Sequence, residues 1–170
     1  KMEEPAMNKL SVLAVISVTV IGPSISFAKD EGKLPKGAVE LSEQEVKDLY
    51  VGNSVKYDVG DGLVYYTWSA DGTLKGVKVG KKKGEYGYAD GTWTVTGNMF
   101  CFKSDWKNKA GDVVYVYQPC KAWWRVGKQK WTKNVSGDDQ YNGDIYNNEI
   151  KKMSKGDKVT AMFDTAKASA

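Results

Sequence analysis

A mainly β fold, a small antiparallel barrel or sandwich with one N-terminal helix, is predicted by three features of the 170-residue chain. From residue 53 onward apolar and polar residues alternate with a period of two, which sends one set of side chains to each face of a strand. Glycine-based turns interrupt that alternation at short intervals, as in a meander. Before the last third of the chain, helical periodicity is confined to one stretch.

That stretch is residues 41–50. Leu41, Val46, Leu49 and Tyr50 share a face, Ser42 is placed to cap the first free N–H groups, and Glu45 completes a capping box before Gly52 ends the helix. Residues 29–40, charged and broken by Gly and Pro, read as a flexible leader. The first strand aligns Asn53, Val55, Tyr57 and Val59 on one face, Gly60-Asp61-Gly62 turns the chain, and residues 63–70 return. Asp71-Gly72 reads as a two-residue type I′ turn, whose two central positions both require φ > 0. Strands follow at 73–79 and 85–89, with Lys81-Lys82-Lys83 as a solvated tip between them. Asp90-Gly91 reads as a second turn of the same kind, leading to strands at 92–96, 99–106 and 112–118. Tyr57, Trp93, Tyr115 and Tyr117 alternate with polar neighbours and read as core. Beyond Trp131 the signal weakens to one or two strands across 141–146, a helical turn at 149–153, a last strand at 158–163 and a frayed tail at 166–170. Residues 41–165 thus read as a single β domain.

The N-terminus carries an export signal. Met7-Asn8-Lys9 is a short basic start, residues 10–21 are uncharged and apolar, and Ser26 and Ala28 are the small residues a signal peptidase requires. Residues 1–28 therefore read as a signal peptide with a few preceding residues, cleaved before Lys29. The apolar run is short of the roughly 20 residues of a membrane span. Cleavage removes two lysines and two glutamates, so the net charge stays +4, well short of a nucleic-acid footprint. The expected location is the periplasm or the exterior. In such an oxidising compartment Cys101 and Cys120 are expected to form a disulfide, closing a loop of about 20 residues and contributing roughly 3 kcal/mol.

The chain contains no histidine, which excludes Ser-His-Asp and Cys-His nucleophiles and histidine-built zinc sites. A carboxylate-pair glycan hydrolase survives that filter. Asp61, Asp71, Asp90 and Asp112, however, all adjoin glycines and read as turn residues. Asp138, Asn142, Asp144 and Glu149 fall at positions 1, 5, 7 and 12 of a calcium loop with Gly143 at position 6. Gln140 at position 3 and the absence of an entering helix favour a polar hairpin over that weak calcium candidate. Trp123, Trp124, Arg125 and Trp131 lie among lysines directly after Cys120. Neighbouring strand residues face opposite ways, so one of the adjacent tryptophans is a candidate for a binding face, the alternative being packing beneath a loop.

The order of these motifs resembles a family of small secreted proteobacterial proteins, itself of unknown function, with a lipocalin-like β domain. The resemblance runs from about Leu41 to Phe163 and rests on the helix at 41–50, Ser69-Ala70-Asp71-Gly72-Thr73, Gly156-Asp157-Lys158-Val159 and, most specifically, G-x-W-x-V-x-G-x-x-x-C from Gly91 to Cys101. It implies an exported β-barrel-like module with a cysteine pair and brings no catalytic residues. The expected function is accordingly a non-enzymatic binding module of the cell envelope without a cofactor. Its expected partner is an anionic glycan, a lipid-like molecule or a protein, an inhibitor-type role included. The alternative is the glycan hydrolase.

Overall fold

The computed structural model describes residues 33–82, 86–137 and 142–169. The signal-peptide reading, Lys83 and Asp138 lie outside the described residues. Eleven strands form one antiparallel sheet that curls into a half-barrel, in agreement with the predicted class.

After a two-residue strand β1 (Val39–Glu40), helix α1 (Glu43–Tyr50) begins with the expected capping box. The Glu45 N–H donates to Ser42 Oγ at 3.2 Å, and the Ser42 N–H donates to Glu45 Oε2 at 2.8 Å. The meander then runs β2 (Asn53–Asp58), β3 (Gly62–Trp68), β4 (Thr73–Gly80), β5 (Tyr86–Thr96) and β6 (Met99–Lys107). It continues through β7 (Val113–Tyr117), β8 (Cys120–Val126), β9 (Gln129–Ser136) and β10 (Ile145–Tyr146). A 3-10 turn (Glu149–Lys152), β11 (Met153–Lys155) and α2 (Thr160–Ala168) complete the chain. Spatial order is β10-β9-β8-β6-β5-β4-β3-β2-β11, with β1 beside β8 and β7 beside the far half of β6. The end of the leader is thus tied into the sheet at β1.

Three local expectations are corrected. The Asp71 loop is not type I′, because no non-glycine residue among those described has positive φ and only Gly72 is left-handed, at φ +85°. The Gly72 N–H donates to Ser69 O, and Asp71 Oδ1 accepts the Thr73 N–H at 2.9 Å, the arrangement of a three-residue loop. Asp90-Gly91 is not a turn but the middle of β5. A Cβ at Gly91 would lie 1.8 Å from Lys103 O, so the glycine is there to let β6 come close, and Asp90 receives Lys107 Nζ at 2.6 Å. Finally, most of the expected strand at 158–163, and the expected tail as far as Ala168, belong to helix α2. Asp157 Oδ1 accepts from the N–H groups of Val159 and Thr160, starting the helix. Val159, Phe163 and Ala166 are buried at helical spacing, Phe163 edge-on to Tyr88 on β5.

The core lies inside the curl at the α1 end. Tyr50 stacks on Phe100 with ring centroids 3.6 Å apart, and Trp68 and Trp123 meet it edge-on. Cys101 and Cys120 are direct cross-strand partners of β6 and β8, bonded as expected, with Cα atoms 4.1 Å apart. That spacing is near the value for a non-hydrogen-bonded antiparallel pair, which explains why it is shorter than in most disulfides. The bond pins the point where β6 exchanges β7 for β8.

Candidate functional site: an open aromatic cavity

Inside the curl, the end away from α1 is not filled by the described residues. A cavity of about 1570 Å³ opens there between the sheet's concave face and the segment that carries β10 and the 3-10 turn. Its apolar wall consists of Val64, Tyr66, Phe102, Trp106 and Tyr117, and Val114 and Tyr115 form a lip. Val64 and Tyr66 on β3, Phe102 and Trp106 on β6, and Tyr115 and Tyr117 on β7 are separated by even numbers of residues, so the strand period sends each pair to one face. Tyr66 packs edge-on against Phe102 and Trp106, and its hydroxyl bonds Ser104 Oγ at 3.2 Å in the interior. Burial pushes the Tyr66 hydroxyl up to about 12.

A polar cluster closes one side. Glu149 is 1% exposed, and its carboxylate accepts from Lys121 Nζ at 2.5 Å, Tyr57 Oη at 2.5 Å and Lys152 Nζ at 2.9 Å. Lys121 also donates to Tyr146 Oη at 3.0 Å, and the Tyr146 hydroxyl donates to Asn134 Oδ1 at 2.9 Å. The cluster therefore connects β2, at one end of the sheet, to β8, β9 and β10 near the other. Among the described residues no strand pairing joins those ends; the chain crosses between them through the 3-10 turn, and these side chains tie that crossing to the sheet. Burial alone would raise the Glu149 carboxyl, but the Lys121 and Lys152 charges and the bonds from Lys121 and Tyr57 outweigh it and hold it below the usual range. Burial first and the Glu149 charge second push the Tyr57 hydroxyl well up.

The four lysines on the cavity wall are all engaged by carboxylates. Lys78 meets Asp61 at 2.7 Å, Lys107 meets Asp90 at 2.6 Å, and Lys121 and Lys152 share Glu149. The wall offers aromatic surface, lysines already paired with carboxylates, and the further carboxylates Asp58 and Asp144, which suits an apolar body far better than a polyanion.

The residues singled out from sequence lie elsewhere. Trp123 is fully buried in the core beside Tyr50, so it packs and cannot present a binding face. Trp124 and Trp131 are half-buried cross-strand partners on the opposite, outer face. Arg125 is exposed and donates to Glu45 Oε1 at 2.6 Å. None of the four lines the cavity. Tyr115, read as core, is 57% exposed at the lip, where among the described residues β7 pairs with β6 alone. Of the calcium candidates, Glu149 is spent on two lysines and a tyrosine, which removes its carboxylate from any cation. Asn142 and Asp144 sit on the β9–β10 connection, where Gly143 N–H donates to Asn134 O and Asn134 N–H to Asp144 O.

Fold and site together define a half-barrel with a packed, helix-plugged end and an open aromatic cavity. The chain matches the family described as protein of unknown function (DUF995) over residues 16–159, and it belongs to that family. No curated protein and no solved structure matches it. No helix among the described residues is long and apolar enough to cross a membrane.

Proposed function

We propose that this protein is an exported binding module that holds one lipid-like molecule, apolar in body, in the half-barrel cavity. The cavity carries the reading: it is large enough for a ligand of several hundred Å³, aromatic on its walls, and open at the lip. The paired state of its lysines favours this ligand over the anionic glycan. A glycan hydrolase needs a carboxyl raised to serve as general acid, whereas Glu149 is held down and ionised by its partners. Export is supported by the apolar leader at residues 10–21 and by the disulfide.

Native mass spectrometry of the protein recovered from its own cell envelope tests the reading. The expected spectrum shows a one-to-one complex whose extra mass is lost on denaturation and belongs to a lipid-like compound. A retained sugar, or a carried partner protein in place of a small molecule, would overturn it.

A further inference from the structure

Among the lysines that line the cavity, Lys152 differs in how its charge is met. Lys78 and Lys107 each have a carboxylate of their own, Asp61 and Asp90. Lys121 and Lys152 divide one, Glu149, so that group sets two positive charges against one negative. The division is unequal. Lys121, with a side chain only 10% exposed, lies 2.5 Å from Glu149 Oε1. It also donates to the hydroxyls of Tyr146 and Tyr57 at 3.0 and 3.5 Å, which occupies all three donors of its ammonium. Lys152, with a side chain 36% exposed, gives one N–H to Glu149 Oε2 at 2.9 Å. Among the described residues its other two donors meet no protein acceptor.

We propose that Lys152 holds the head of the lipid-like ligand, and that this head is a single carboxylate. The proposal rests on the reading of the cavity as a lipid site and adds the chemistry of the head. The ammonium is fixed in place before any ligand arrives. Its Nζ lies 5.1 Å from the centre of the Tyr57 ring and 5.3 Å from that of Tyr146, so two aromatic faces and Glu149 position it. Lys152 and the aromatic wall border the same cavity, so a head at Nζ leaves the chain to lie along Trp106 and Phe102.

The charge of the head follows from the groups around it. A neutral head accepts the two spare N–H groups but leaves the second positive charge uncompensated. A carboxylate does both, and hydrogen bonds to an ionised acceptor are about twice as strong as neutral ones. Two negative charges are too many, because Asp58 and Asp144 border the cavity as well. Burial above all and the Glu149 charge next push the Tyr146 hydroxyl up, and Asp144 stands near enough to add to the rise. The same charge opposes a dianionic head placed beside that ring.

Calorimetric titration with a medium-chain fatty acid, the alcohol of the same chain and its phosphate monoester tests the assignment, at about pH 8 where the acid is ionised. The wild type is expected to bind the acid about tenfold more tightly than the alcohol and more tightly than the phosphate. Lys152→Met is expected to lose that tenfold for the acid alone, and Lys152→Arg to keep the preference. Unchanged binding of the alcohol by Lys152→Met shows that its cavity is intact. Equal binding of acid and alcohol by the wild type, or a preference that survives in Lys152→Met, overturns the head assignment and leaves the cavity reading standing. Tighter binding of the phosphate than of the acid overturns the single charge. Binding of none of the three overturns the head assignment and the cavity reading together.

Discussion

Replacing Glu149 by glutamine is expected to destabilise the fold by about 3–5 kcal/mol, because it leaves the Lys121 ammonium buried without its counter-charge. The loss should clearly exceed that of an exposed pair such as Arg125–Glu45, which solvent screens. Urea unfolding at neutral pH measures both. Exchanging the pair together, Glu149→Leu with Lys121→Met, removes the charge and its penalty at once and is expected to recover most of the loss. The same cluster sets an acid limit. Folding lowers the Glu149 pKa, so its contribution is complete above the ordinary carboxylate range and is lost as pH falls through the lower folded value. The double exchange should therefore unfold less steeply than wild type as the pH is taken below that of an ordinary carboxylate. An equal acid response in the two proteins would show that the cluster does not set the limit.

Trp123→Ala is expected to cost about 3–5 kcal/mol, the range for deleting a fully buried aromatic side chain. The indole stands between β8 and the helix plug, edge-on to Tyr50, and Thr132 backs it across the strand pair. Trp124→Ala, one residue on, removes a half-buried ring from the outer face and should cost clearly less. Denaturant midpoints of the two variants separate the roles. Equal losses would mean that the outer face is packed as firmly as the core.

That contrast shows where the sequence was legible and where it was not. Strand alternation placed Trp123 and Trp124 on opposite faces correctly, but nothing local says which face is the core; that depends on which way the sheet curls. The capping box at Ser42 and Glu45 was readable because cap chemistry is contained in four residues. The two Asp-Gly pairs look alike in sequence yet part company in the fold. Asp71-Gly72 turns the chain, while Gly91 stays in strand because β6 passes within 1.8 Å of where its Cβ would be. Helix α2 was hidden by the β-branched pair Val159-Thr160, although Asp157 as a cap and the spacing of Val159, Phe163 and Ala166 were present. The cavity cluster was out of reach. It gathers Tyr57, Lys121, Asn134, Tyr146, Glu149 and Lys152 from separate strands and a turn, and a lone lysine beside a cysteine looks like surface until its partner, 28 residues away, is placed.

The most direct test of the cavity is titration of the protein with a fluorescent single-chain fatty acid, followed by energy transfer from tryptophan. One-to-one saturation is expected, with displacement by the unlabelled acid. Trp106→Ala, which strips the wall at the ring facing Tyr66, should weaken binding about tenfold, roughly 1.4 kcal/mol, without lowering the melting temperature by more than a few degrees. Absence of saturable binding, or saturable binding that Trp106→Ala leaves unchanged, would contradict the assignment of the half-barrel interior as the ligand site.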